Sequence, residues 1–146
     1  MAADCIFCEI AQGRRDASIV LADDHSLAFL DHRPLFPGHC LLIPKLHFET
    51  LADLPASGIQ PLFAAAQLLA EAVVKGLGAE GSFVAINNRI SQSVPHLHVH
   101  VVPRRKKDGL KGFFWPRGKY TDSSECEAIR ETLATAVDSL KASRHK

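Results

Sequence analysis

Residues 91–103 read Ser-Gln-Ser-Val-Pro-His-Leu-His-Val-His-Val-Val-Pro, and this is the most regular pattern in the chain. Side chains of a strand alternate between its two faces. A strand here therefore places His96, His98 and His100 on one face, with successive members about 7 Å apart. The apolar residues between them take the other face, where they can pack against a helix. The stretch predicts a strand over residues 96–103, with imidazoles on one side and core on the other.

Three interpretations of this imidazole row are open. It can be a set of exposed polar residues, although composition alone would favour Thr, Lys or Glu at such positions. Two histidines spaced i, i+2 can chelate a metal ion. A neutral histidine is also a nucleophile towards phosphorus, and a second imidazole can stabilise charge on phosphate oxygens. The preceding Ser91-Gln92-Ser93 favours this third interpretation, because hydroxyls, an amide and N–H groups can hydrogen-bond an oxyanion.

The segments around the histidine strand predict an α+β fold with a mostly antiparallel five-stranded sheet. Turn residues separate the other predicted strands, which cover residues 18–22, 27–30, 39–44 and 81–87. Apolar residues at helical spacing predict one long helix over 58–77 that packs on the sheet, with Pro61 in its first turn. A short N-terminal helix over 4–12 and a C-terminal helix over 123–142 complete the expected elements.

Length and charge limit the class of protein. A chain of 146 residues, 47% of them hydrophobic, predicts a single domain over 1–146, with a core of about 4–104 and an extension over 105–146. The balance of 17 basic and 16 acidic residues argues against a stable nucleic-acid partner. No apolar run approaches the ~20 residues that span a bilayer, and the first residues lack a secretory signal. We therefore expect a cytoplasmic protein with no membrane partner.

Cys5 and Cys8 form a C-x-x-C pair near the start of the chain. Such a pair can be half of a zinc site, a redox pair or chance. No strand precedes it, which disfavours a thioredoxin-like redox role. From the spacing alone, zinc remains one of the open interpretations.

The stretch His96–Val102 follows the pattern H-φ-H-φ-H-φ-φ, where φ is apolar, and it resembles the signature of the histidine triad (HIT) family. Further stretches resemble the family in the same order along the chain: Cys5–Ile10, Phe29–Asp31, Gly38–Lys45 with His47, Asn87 and Gln92–Val94. The resemblance covers about residues 4–104. It implies a HIT-like fold and a homodimer in which two half-sheets join.

The resemblance also implies an enzyme that binds a purine nucleotide and cleaves at its α-phosphate. His98 would be the nucleophile, and a nucleotidyl-histidine intermediate would then be hydrolysed by water. His100 and Gln92 would contact the phosphate, while Ser93 would contact it and help to protonate the leaving group. The expected substrates are nucleoside phosphoramidates, nucleotidyl adducts or dinucleoside polyphosphates.

The binding residues are likewise implied by the resemblance. Asp31 would accept the ribose hydroxyls, although a loop aspartate can also cap a turn. Asn87 would hold ribose or phosphate, although Asn87-Asn88 also favours a turn. The apolar walls of the base pocket would be Ile6, Phe7, Ile10 and Phe29.

In some family members zinc is held by two N-terminal cysteines and two histidines. The matching residues are Cys5, Cys8, His47 and His96, a set that favours a closed tetrahedral structural zinc. Zinc would then be structural rather than a Lewis acid, and His98 and His100 would remain for phosphate chemistry.

Several functions remain open after the resemblance. A nucleotidyltransferase or phosphorylase would use the same intermediate, a nucleotide-binding regulatory module would need no activity, and a metal enzyme would use the histidines as ligands. The segment 104–121, with Phe113, Phe114 and Trp115, is our best candidate for setting specificity. Its basic start, Arg104–Lys107, is either a solvated face or a site that attracts polyphosphate.

Overall fold

The computed structural model describes residues 5–111 and 118–144, and in it five strands form one sheet in which all neighbours are antiparallel. The strands are β1 (Ile19–Ala22), β2 (Ser26–Leu30), β3 (Cys40–Pro44), β4 (Gly81–Ile86) and β5 (Val99–Arg104), in the spatial order β1-β2-β3-β5-β4. The helices are α1 (Ile6–Ala11), α2 (Ala56–Leu77) and α3 (Ser123–Arg144), with a short 3-10 helix at Leu51–Asp53. This architecture confirms the predicted α+β class.

The two faces of the sheet pack against different helices. On one face, the buried stripe of α2 meets alternate residues of the central strands, and this core consists of Ala28, Cys40, Leu42, Leu62, Ala65, Ala66, Leu69, Val73, Leu97, Val99 and Val101 with Leu54. On the other face, Phe7 and Cys8 of α1 pack against Phe29, Leu41 and their neighbours. The period-two alternation thus assigns each strand residue to one core or the other.

The histidine segment differs from the prediction at its start. The β5 ladder begins at Val99 rather than His96. Before it, the chain bends, because the N–H of His96 donates to the carbonyl of Val94 (2.8 Å) and that of Leu97 to the carbonyl of Phe48 (2.6 Å). Leu97 nevertheless lies in the α2 core with Val99, so the predicted separation of apolar residues from histidines holds.

Helix α2 also begins earlier than predicted, at Ala56, so Pro61 lies inside the helix and not in its first turn. Among the helices of the described ranges, α2 alone has the length and apolarity of a membrane span. From the sequence alone, no such segment is predicted. The helix of a soluble core passes the same test, and the stripe of α2 that the sheet covers accounts for part of its apolar character.

The basic run after β5 is partly structural. The guanidinium of Arg104 pairs with Asp108, and Arg105 donates to the carbonyl of Leu77 (2.6 Å) and to that of Gly78 at the end of α2. Cationic side chains at a helix C-terminus satisfy its free carbonyls and suit its dipole. Arg105 therefore caps α2.

The chain divides into two compact units, Met1–Gly109 and Leu110–Lys146. In the second unit, Asp122 caps α3, because its Oδ1 accepts from the N–H of Glu125 (2.9 Å). The aromatic cluster predicted at Phe113, Phe114 and Trp115 lies outside the described residues. A single domain over 1–146 stays a prediction.

Candidate active site

His98 is buried, and one hydrogen bond fixes how it presents its ring. Its Nδ1 lies 2.7 Å from the backbone carbonyl oxygen of His96. A carbonyl can only accept, so Nδ1 carries the proton and donates. The lone pair of His98 is therefore on Nε2, the nitrogen that a nucleophile needs.

His100 is held in the opposite tautomer through His39, a residue to which the sequence analysis gives no role in the site. The backbone N–H of Leu35 donates to Nδ1 of His39 (3.1 Å), so the proton of neutral His39 is on Nε2. That nitrogen lies 2.9 Å from Nδ1 of His100 and donates to it. His100 therefore carries its proton on Nε2, as a donor to an oxygen ligand.

Burial keeps both histidines of this relay neutral. It lowers the pKa of His100 to about 4, helped by the neighbouring His98 and His39, while Asp31 acts in the opposite direction. Burial also lowers the pKa of His39, and Asp31, whose Oδ2 is 3.8 Å from Nδ1 of His39, opposes that shift. Near neutral pH, His39 and His100 are therefore neutral, in the tautomers that their hydrogen bonds indicate.

His98 and His100 open onto a cavity of about 750 Å³, a volume within the usual range for small-molecule sites. Ser93 lines the cavity with them, and Asp31 lies further along its wall. The four predicted base-pocket residues also line it: Ile6, Phe7, Ile10 and Phe29. The cavity thus joins two imidazoles, a carboxylate and an apolar slot.

Phe7 connects the apolar slot to the histidines. Its ring makes edge-on contacts with Phe29 (centroids 5.4 Å apart), His98 (5.3 Å) and His96 (5.9 Å). The packing of α1 on the sheet therefore also sets the position of the His98 ring.

Three predicted site residues have structural contacts or lie apart from the cavity. Oδ1 of Asp31 accepts from the N–H of Arg33 (2.9 Å), so Asp31 forms a turn as well as lining the cavity. Gln92 accepts from the N–H of Arg89 and donates to the carbonyl of Glu49, which ties down the loop before Ser93. Neither Gln92 nor Asn87 is part of the cavity lining.

The four predicted metal ligands lie close together, and both cysteine sulfurs approach Nδ1 of His96. The distances are 3.4 Å from Sγ of Cys5 to Nδ1 of His96, 3.6 Å from Sγ of Cys8 to the same nitrogen, and 3.3 Å from Sγ of Cys8 to Nδ1 of His47. Tetrahedral zinc with ordinary bond lengths separates its sulfur and nitrogen ligands by about 3.5 Å. The donor set therefore fits zinc.

The outer contacts of this group also suit a metal. Nε2 of His96 donates to the carbonyl of Pro44 (2.9 Å), which leaves Nδ1 for the metal, and metal-bound histidines commonly make such a bond. Burial lowers the pKa of His96 to about 4, so the neutral, ligating form prevails. Zinc bound here would brace the N-terminus of α1 against the loop that carries His47.

A second group, Asp31, His39 and His100, also has metal-like spacing within the described residues. However, both ring nitrogens of His39 already take part in the relay to His100. The hydrogen bonds thus account for this group.

Comparison with known proteins relates the chain to one protein family. The family model described as the HIT domain matches residues 12–107. Adenylylsulfatase HINT3 of Arabidopsis thaliana is 37% identical over 109 residues, which are 73% of this chain and 55% of that protein. The asymmetrical bis(5'-nucleosyl)-tetraphosphatase of Schizosaccharomyces pombe is 36% identical over 85 residues, which are 57% of this chain and 47% of that protein.

A solved structure extends the likeness to three dimensions. The crystal structure of a Zn-bound histidine triad family protein from Mycobacterium smegmatis superposes with a TM-score of 0.70 at 36% identity, and the match covers 93% of this chain and 97% of that one. That protein is described as zinc-bound.

Proposed function

Because the chain belongs to the HIT domain family, we propose that it is a nucleotide hydrolase that cleaves at the α-phosphate through a covalent intermediate on His98. Substrates of this class are nucleoside phosphoramidates, nucleotidyl adducts and dinucleoside polyphosphates. Relatives named for hydrolysis of an adenylyl sulfate and of a dinucleoside tetraphosphate support hydrolysis in general.

The observation that carries the proposal is the pair of opposite tautomers on His98 and His100. In the first step, the Nε2 lone pair of His98 forms a bond to phosphorus while the bond to the leaving group breaks. The leaving group departs with the electron pair and takes a proton from the hydroxyl of Ser93, which lies on the cavity wall. Nε2–H of His100 donates to a phosphate oxygen as its charge grows.

In the second step, a water oxygen attacks phosphorus and the N–P bond breaks. One proton of the water replaces the proton that Ser93 gave up, the other stays on the released nucleoside monophosphate, and neutral His98 is restored. Asp31 accepts the ribose hydroxyls, and the apolar slot of Ile6, Phe7, Ile10 and Phe29 takes the base. Gln92 acts indirectly, by fixing the loop that presents Ser93.

Zinc, in this proposal, is structural. Cys5, Cys8, His47 and His96 would hold it, and it would supply a fixed cross-link between α1 and the histidine segment. His96 then acts on catalysis through its carbonyl, which orients His98.

The test is turnover of adenosine 5'-phosphoramidate and of a dinucleoside tetraphosphate by wild type and by His98→Ala. We expect the variant to lose at least about a thousandfold in kcat, as for other removed nucleophiles. The exposed turn residue His25 supplies a matched control, and His25→Ala should keep full activity. Full activity in His98→Ala would reject the proposal.

The acceptor separates a hydrolase from a transferase or phosphorylase. A hydrolase incorporates oxygen from labelled water into the monophosphate, even when inorganic phosphate is present. Formation of nucleoside diphosphate from added phosphate would instead assign a phosphorylase. Tight nucleotide binding without turnover of any substrate would assign a regulatory module.

A further inference from the structure

The rim of the cavity beside the base wall carries two charged residues, Arg15 and Asp16, that the proposed reaction does not use. They follow α1 and a turn in which Gly13 takes the left-handed region (φ 69°). The N–H of Gly13 donates to the carbonyl of Ile10, and that of Arg14 to the carbonyl of Glu9. Beyond this turn the chain continues into β1, which pairs with β2.

The segment that holds these two residues is anchored on both sides. On one side, a guanidinium nitrogen of Arg15 donates to Oε2 of Glu9 (3.3 Å), next to Ile10 of the base wall. On the other side, Ala17 packs against the apolar cluster that includes Phe7 and Phe29. The carbonyl of Ser18 also accepts from the N–H of Leu30 (3.0 Å). Arg15 and Asp16 are thus held at the mouth of the apolar slot.

Their polar atoms are available to a ligand. Asp16 is exposed, and its carboxylate makes no hydrogen bond or ion pair with any of the described residues. Arg15 donates to Glu9 from one guanidinium nitrogen, and more than half of its side chain is exposed. The slot mouth therefore offers both a strong acceptor and a strong donor.

Among the common bases, guanine fits this pair best. Its Watson–Crick edge presents two adjacent donors, N2–H and N1–H, beside the acceptor O6. A carboxylate can take both donors, and an arginine can donate to O6, or to O6 and N7 together. Adenine presents the reverse order, with the acceptor N1 beside the donor N6–H. It would set its N1 lone pair against the carboxylate and its amino group against the guanidinium.

We propose that Arg15 and Asp16 read the edge of the base, and that the enzyme prefers guanine nucleotides. This inference rests on the proposed nucleotide site and adds its base specificity. The phosphate chemistry at His98 is the same for either base, so the preference enters through binding.

Calorimetric titration of the zinc-loaded protein with GMP, IMP and AMP tests this inference. We expect GMP to bind about tenfold more tightly than AMP, at the low end of what a bidentate base contact contributes, since the rim is exposed. IMP keeps N1–H and O6 but lacks the amino group, so its affinity should fall between the two. Asp16→Asn and Arg15→Met should each bring the two affinities together, because GMP loses a hydrogen-bonding partner and AMP loses an unfavourable one.

The neighbouring chain provides matched controls. Asp24 and Arg14 are exposed and are not part of the cavity lining, so Asp24→Asn and Arg14→Met should keep the wild-type preference. Equal binding of GMP and AMP by wild type would overturn the base reading and leave the nucleotide site intact. An equal loss of both nucleotides in Asp16→Asn would make Asp16 structural and would also overturn it. Failure of every nucleotide to bind wild type would reject the nucleotide site itself.

Discussion

The hydrogen bond between His39 and His100 decides which nitrogen of His100 carries its proton. Without that bond, the proton of a neutral imidazole can move to Nδ1, and Nε2 then faces a phosphate oxygen with a lone pair. His39 is therefore a positioning residue for His100, although 61 residues separate them in the chain.

His39→Asn tests this role. Asparagine cannot reach as far as the ring, so His100 loses its fixed tautomer. We expect kcat/KM for a phosphoramidate to fall roughly 10- to 100-fold, as for partners that orient a functional group from behind. The substitution should change kcat more than nucleotide affinity, and His25→Asn should change neither. Unchanged kinetics in His39→Asn would show that His100 needs no such support.

The sequence could reveal the triad but not this relay. Alternation along residues 96–103 separated the histidines from Leu97, Val99 and Val101, which do lie in the core. His39 stands at the start of a strand, and nothing local links it to His100. The link arises because β3 and β5 are neighbours, with Leu41 opposite His100. The sequence of either strand alone does not indicate which distant strand it pairs with.

At the scale of elements, the N-terminal helix is tied to the histidine segment by the cysteine and histidine group. Cys5 is the N-cap residue of α1, Cys8 lies in its first turn, and both sulfurs approach His96. A helix of six residues has little stability of its own. The metal would therefore contribute much of what holds α1, and with it Phe7, against His98.

Cys8→Ser tests the zinc assignment at this scale. We expect the purified variant to lose bound zinc and its thermal midpoint to fall by roughly 5–10 °C, which corresponds to about 2 kcal/mol in a domain of this size. Zinc content by elemental analysis and melting by calorimetry are the measurements. Cys126→Ser, at the exposed cysteine of α3, should change neither. Wild type that binds no zinc, or a variant that melts with wild type, would contradict a structural metal.

Local sequence patterns predicted the type and order of the helices and strands. Contacts with distant segments explain why some of their ends lie at other residues than predicted. The predicted strand over 96–103 starts three residues late because Phe48 takes the N–H of Leu97. A solvated face was one interpretation of the basic run at the end of β5, yet Arg105 donates hydrogen bonds to carbonyls at the end of α2. In each case a partner from a distant segment determines the outcome.

At the scale of the whole molecule, buried neutral histidines make stability depend on pH. The pKa of His100 is about 4 in the folded protein and 6.5 in an unfolded chain. Below about pH 6.5, His100 of the unfolded chain binds a proton, whereas His100 of the folded protein stays neutral down to about pH 4. The contribution of His100 to the free energy of unfolding is therefore full above about pH 6.5 and is lost as the pH falls towards 4.

Unfolding by urea between pH 4 and 7.5 measures this effect. We expect His100 to account for a loss on the order of 2 kcal/mol across that window, allowing for its partial exposure. His100→Asn should flatten the profile by that amount, whereas His25→Asn should leave it unchanged. If the unfolding free energy of His100→Asn depended on pH as strongly as that of wild type, the neutral state of His100 in the folded protein would be contradicted.

The two edges of the sheet differ in how well they suit a partner. β1 is four residues long and its register with β2 is irregular, whereas β4 has six residues in regular register with β5. Bulged, short edges resist pairing. Beside β4, α2 also exposes apolar residues that the sheet does not cover, including Ile59 and Phe63. We propose that β4 forms the homodimer edge.

Matched substitutions at the two edges test this proposal. Val84 of β4 is 43% exposed and Val20 of β1 is 48% exposed. We expect wild type to sediment as a dimer, Val84→Asp to dissociate it, and Val20→Asp to leave it intact. A monomeric wild type, or dissociation by Val20→Asp alone, would contradict the assignment.

The central claim is a covalent bond between Nε2 of His98 and phosphorus. The direct measurement is a rapid quench in alkali, which preserves the N–P bond, during turnover of a nucleoside phosphoramidate, followed by mass spectrometry of the peptide that contains residues 96–100. We expect a transient nucleotidyl group on His98 that forms and decays at rates consistent with kcat. Turnover at the normal rate with no labelled histidine at any time would contradict it.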